Sequence, residues 1–329
     1  MLGPMLTLTA LVCPQCAAPL PRAARWRTVQ CPYCGATVMR GEEIVQRADF
    51  HAAWLRAQSH AADGQVFQWR AARYRVLAPL GHGRHHELLL AQRLGAAPER
   101  VTVKLAHVAG HADGLRREYE VLHALHALQA LQGPGAAYFT RRLPQPIGVG
   151  PATTAAGGSH DALLLRHPPG HWGSLAAVAQ AQPEGIDARH AVWLWRRMLE
   201  VLGFVHAQGW THRDLTPAHA LVHPHDHGVL LIGWREARQA EGRALADAVK
   251  RDLQQSAWTI RAVLHGSRDG GTPGLGAHTP APLAELLRSC SEDGTALDAA
   301  ALQTALTEAA LAAFGAPRFI PFNPAPHGA

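Results

Sequence analysis

The chain has 329 residues, 47% hydrophobic and 17% charged, the proportions of a globular protein able to bury a substantial core. Its net charge of +6 permits an acidic partner or a nucleotide without demanding nucleic acid, and the absence of an apolar run of about 18 residues argues against a membrane-spanning helix. Four of the five cysteines form two tight pairs, which argues for metal binding in a reducing compartment rather than a disulfide framework. A cytoplasmic protein is expected.

The opening MLGPMLTLTALVC is apolar but short, has no basic start, and runs straight into a cysteine pair. It reads as a strand entering a metal site rather than a signal peptide. Cys13-Pro-Gln-Cys16 and Cys31-Pro-Tyr-Cys34 stand 14 residues apart. Four thiolates at this spacing can close tetrahedrally around zinc and leave no position open for water, so the metal would be structural. So short a segment cannot fold on its apolar residues alone, and metal binding would supply most of its stability. Residues 1–40 thus resemble a zinc ribbon. Arg22, Arg25, Arg27 and Trp26 between the knuckles leave two readings of its partner open, protein or nucleic acid.

A helical connector is predicted over 41–73, with Phe50, Trp54 and Leu55 on one narrow stripe. From Tyr74 the pattern becomes strand-like in YRVLAPL, ELLLAQRL and RVTVKLA, with Gly81 and Gly83 at the first turn. An amphipathic helix follows over about 112–130, then a Gly/Pro-rich stretch to residue 160, a strand at 162–166, and helices at about 175–180 and 187–208. Short strands near 219–222 and 228–232 flank the turn His223-Pro-His225-Asp226-His227, read as solvated. Helices near 242–265, 281–290 and 297–313 and a Pro-rich tail at 316–329 complete the chain. The tryptophans Trp193, Trp195 and Trp258, and Cys290, are read as core residues.

Lysine is rare in this arginine-rich chain: only Lys104 and Lys250 occur. Lys104 lies in an apolar strand, where an ammonium needs a partner, and Glu118 in the following helix is the natural one. The run His212-Arg213-Asp214-Leu215 follows a long helix and leads into a short strand. Together with Lys104 and Glu118 it resembles the protein kinases.

The resemblance implies an α+β, two-lobed kinase-like fold over 74–315, with a small β lobe at about 74–166 and a larger helical lobe at 167–315. Gly81 and Gly83 would approach nucleotide phosphates, Lys104 would pair the α/β-phosphates and Glu118, and Asp214 would stand as catalytic base. His212 and Arg213 would be architectural, and Asp252 would brace the loop backbone.

The pattern breaks at the metal. The magnesium-binding aspartate falls on Gly233, the second metal ligand on His219, and the lysine of serine/threonine kinases on Thr216, while the third glycine falls on His86. Imidazole is a poor magnesium ligand. Losing one preorganised electrostatic group costs about 10²–10³ in rate, and here several are lost together. No Ser, Thr or Tyr lies between Gly233 and Asp252, so there is no phosphosite.

The expected protein is therefore a pseudokinase with a structural zinc, binding ATP weakly without magnesium and working through a protein partner. Two alternatives stand beside it. One is an atypical ATP-dependent serine/threonine kinase using Asp214 with another metal or with Glu236. The other is a zinc-ribbon nucleic-acid-binding protein with a kinase-like scaffold.

Overall fold

The structure is a computed structural model that describes residues 65–324, apart from 84–85, 96–98, 107–110, 133, 155–156, 226, 266–274, 277 and 295–297. It also describes two short strands near the N-terminus, β1 (Thr28–Gln30) and β2 (Thr37–Met39), paired antiparallel through Val29 and Val38. The predicted zinc ligands Cys13, Cys16, Cys31 and Cys34 and most of the predicted connector lie outside the described residues.

Six strands form the first half: β3 (Val66–Trp69), β4 (Ala72–His82), β5 (His86–Arg93), β6 (Arg100–Ala106), β7 (Pro146–Thr154) and β8 (Ser159–Arg166). They close into an antiparallel barrel in the order β3-β4-β5-β6-β8-β7. Between β6 and β7 the chain makes α1 (Ala112–Gln132) and α2 (Pro134–Thr140). Side-chain alternation decides what faces where. Val101 and Val103 of β6 join Phe67, Trp69, Tyr74 and Leu164 inside the barrel, while Lys104 and Ala106 point outward to α1. Position 148 of β7 is a glycine, and a β-carbon there would stand 2.7 Å from the Trp69 ring.

After β8 come β9 (Gly173–Ser174), α3 (Leu175–Ala181), α4 (Ala188–His206), β10 (Trp210–Thr211), β11 (Ala220–His223), β12 (Gly228–Leu231) and β13 (Arg238–Gln239). Three helices follow, α5 (Gly242–Leu264), α6 (Ala281–Arg288) and α7 (Ala299–Phe314). Ser174 caps α3, Asp187 caps α4 and Asp298 caps α7, each accepting from a backbone N–H of the first turn. Trp195 and Met198 of α4 are fully buried, and α4 packs against α5 and α7. No helix among the described residues is long and apolar enough to cross a membrane.

The two-lobed kinase-like architecture expected from the motifs is corrected here: the chain builds a closed six-stranded antiparallel barrel with helices. Two strands that periodicity does not reveal make the difference. β3 arises at the end of the predicted connector, and β7 arises in the Gly/Pro-rich stretch. β7 pairs with both β8 and β3, so the sheet has no open edge. The main apolar core is also continuous, running from Leu163 and Leu165 on the outer face of β8 through Leu122 and Leu125 of α1 to α4 and α5.

Candidate functional site

Lys104 and Glu118 meet across the interface between the barrel and α1. The ammonium Nζ donates to Oε1 at 2.7 Å and to Oε2 at 2.8 Å, and both residues are buried, at 4% and 2% exposure. Burial works to raise the Glu118 pKa, but the Lys104 ammonium and its hydrogen bonds hold it below the usual carboxylate value, with smaller help from His86 and His219.

The His212–His219 segment leaves β10 and enters β11 through a 3-10 turn at Pro217–His219. Asp252, fully buried on α5, holds the start of this loop. Its carboxylate accepts the backbone N–H groups of His212 and Arg213 at 2.7 Å each, and Nε2 of His206 lies 3.0 Å away. Three residues on, Gln255 Oε1 accepts the Leu215 N–H at 3.0 Å. These contacts hold Arg213 at φ 70°, a backbone conformation uncommon for a side chain of this size.

His212 is fully buried and its pKa is lowered, by burial first, against the pull of Asp252. Its neutral ring has one tautomer that suits its neighbours. Nε2–H donates to the Ile232 carbonyl at 2.9 Å, and Nδ1 accepts the Asp214 N–H at 3.3 Å. The ring also packs edge-on against buried Trp234, at 4.6 Å.

His219 is fixed from three sides. Its Nδ1–H donates to the Asp214 carbonyl, its own carbonyl accepts the Ile232 N–H at 2.8 Å, and its N–H donates to the Thr216 carbonyl at 2.9 Å. Gly233, at φ 83°, lies directly beside the ring: a β-carbon there would stand 2.7 Å from His219 Cδ2. His219 and Gly233, far apart in the chain, are thus packed side by side. The Asp214 carboxylate is about half exposed, with Oδ2 at 3.7 Å from His219 Nδ1.

After Gly233 the chain makes one 3-10 turn, Trp234–Glu236, and then β13 pairs with β10 before α5 begins. The Glu236 carboxylate is engaged by Arg235 at 3.4 Å and Arg238 at 3.6 Å. Arg235 in turn lies across Gly114 of α1, where a β-carbon would stand 2.7 Å from its Nε. At the other end of the site, the Gly83 N–H donates to the His86 carbonyl at 2.7 Å, and the His86 ring lies against Gly83. Imidazole rather than open space faces that glycine.

The structure therefore brings together Lys104 with Glu118, Asp252 with His212 and Arg213, and Asp214 with His219 and Gly233. Sequence reasoning missed His206 and Gln255. Both were signalled by polar residues interrupting otherwise buried helix faces, since a buried polar group implies a partner. Trp193 and Trp195 are buried core residues, as is Cys290, whose thiol burial pushes up to about 12; Trp258 is half-buried and stacks under Arg261. Among the described residues no three His, Cys, Asp or Glu side chains are grouped to hold a metal ion, and Asp226 and the four paired cysteines lie outside them.

A scan against protein-family models gives no match, and a search of the curated proteins gives none either.

Proposed function

We propose that this chain is a pseudokinase-type binding module, a nucleotide-sensing or scaffolding protein with little or no phosphotransfer. The reading rests on the residues of the site and not on the overall architecture. One observation carries it: the His219 imidazole fills the space beside Gly233, so neither side chain offers an oxygen to magnesium. Without a metal to bridge phosphates, Asp214 has no charge-neutralised phosphoryl group to direct a nucleophile toward.

Two further features constrain the reading. Lys104 gives two of its donors to Glu118 and is 4% exposed, so a phosphate reaches it only by displacing part of the ion pair. Asp252 keeps the loop backbone in place whether or not chemistry occurs there. Zinc at Cys13, Cys16, Cys31 and Cys34 belongs to the same proposal as a structural metal, with a protein partner for that segment.

The test is a thermal-shift titration with ATP, with and without magnesium or manganese, beside a phosphotransfer assay. The expected result is a rise in melting temperature that does not depend on either metal, with no turnover. A ligand that binds only the folded state raises that temperature by mass action. Metal-dependent turnover abolished by Asp214→Ala would overturn the reading in favour of an active kinase. The half-exposed Asp214 carboxylate is the observation that would then matter.

A further inference from the structure

Beyond α7 the described residues, 315–324, form no regular secondary structure, yet part of this segment is firmly seated. Residues 315–318 are exposed, while Phe322 and Pro324 are buried and Phe319 is half-buried. This segment pairs with no strand. It is held by side chains on a floor made from three separate elements.

The floor is a pair of imidazoles. His190, in the first turn of α4, and His227, in the turn between β11 and β12, sit with Nδ1 and Nε2 2.8 Å apart, both buried. Two nitrogens at that distance share one proton, so one ring donates and the other accepts. Phe322 lies on both rings, stacked on His227 at 5.6 Å and 19° and tilted on His190 at 4.7 Å. Phe319 meets His227 edge-on at 5.5 Å. Gln182, just after α3, donates Nε2–H to the Asn323 carbonyl at 3.2 Å. Burial pushes the His190 pKa down to about 4, so the ring stays neutral near pH 7 and its apolar cover meets no buried charge.

We propose that this floor is a peptide-binding groove for an extended segment carrying two phenylalanines three residues apart, occupied in cis by the chain's own Phe319–Asn323. The geometry is that of a docked peptide: two aromatic anchors, one backbone carbonyl read by a side-chain amide, and no ladder. Pro317, Pro321 and Pro324 keep the segment extended before it docks, which lowers the entropy lost on seating it. A tethered occupant competes with any free one at a high effective concentration, so the groove is closed to other peptides until the tail leaves.

The experiment uses the full chain with Phe319→Ser and Phe322→Ser together, and a fluorescein-labelled peptide of residues 319–326. By fluorescence anisotropy the labelled peptide is expected to bind the double variant about tenfold or more tighter than the unaltered chain, because only the variant has an open groove. A peptide with serine at both phenylalanine positions is expected not to bind. Equal binding to both chains, or none to a folded double variant, would overturn the proposal. Should the double variant fail to fold, the unaltered chain is treated with trypsin in excess unlabelled peptide, which itself has no basic residue. Faster cleavage after exposed Arg318 at saturating peptide supports exchange, and an unchanged rate at that bond overturns it.

Discussion

The imidazole of His219 stands where a side chain at position 233 would have to go, 2.7 Å from the β-carbon that Gly233 lacks. The two residues are one packing unit. They lie 14 positions apart in the chain and meet because the β11–β12 hairpin brings them together.

From this it follows that Gly233→Asp is destabilising. The new side chain meets the His219 ring, and φ 83° is strained for a residue with a β-carbon. Urea denaturation is expected to show a loss of roughly 2 kcal/mol or more. Adding His219→Asn is expected to return the part due to the clash, leaving the backbone strain. If Gly233→Asp is as stable as the unaltered chain, the packing unit does not exist.

The ion pair between Lys104 and Glu118 sits in a buried interface, where a single charge left behind is costly. Lys104→Met and Glu118→Gln are each expected to lose about 3–5 kcal/mol, the range for breaking a buried pair, whereas Lys104→Met with Glu118→Leu is expected to recover most of it. Because the folded Glu118 pKa is lowered, its contribution is fully present above the ordinary carboxylate range and is lost as pH falls through the folded value. A double-mutant cycle measured at pH 7 and repeated in acid checks both statements.

Asp252, itself fully buried, accepts two backbone N–H groups of the loop and touches His206. Asp252→Ala orphans those donors and is expected to cost about 3 kcal/mol or more. Hydrogen exchange at the His212 and Arg213 amides should then speed up far more than exchange in α7, which does not use this carboxylate. Uniform acceleration through the chain would argue against a local brace.

His190 makes a pH dependence of its own. An unfolded histidine binds a proton near pH 6.5, while the folded one waits until about 4. Between those values the unfolded chain holds more protons, so stability is full above pH 6.5 and falls as pH drops toward 4. The loss over that window is about 3 kcal/mol in all. His190→Gln is expected to flatten this part of the profile, measured as the denaturation midpoint at half-unit pH steps.

Strongly patterned elements are legible in the amino-acid sequence itself. The α4 and α5 stripes, the RVTVKLA strand and the Lys104–Glu118 pairing all follow from periodicity and from the need of a buried charge for a partner. The barrel is not legible there, for a physical reason. β3 is four residues long and β7 is broken by glycine and proline, so neither shows a period of two; each is made a strand by what it pairs with. The His219–Gly233 contact is hidden in the same way. Each departure can be read alone, but only the turn between β11 and β12, which returns Ile232 to the His219 carbonyl, puts the two side by side. The His190–His227 pair has no sequence signal, since histidines are common throughout this chain.

Gly114 and Glu118 stand one helical turn apart on the same face of α1. The first is pressed by Arg235 from the segment after Gly233, and the second is gripped by Lys104 from the barrel. One turn of one helix therefore meets both the barrel, through Lys104, and the 234–236 turn, through Arg235, so α1 is the element that the two ends of the site share.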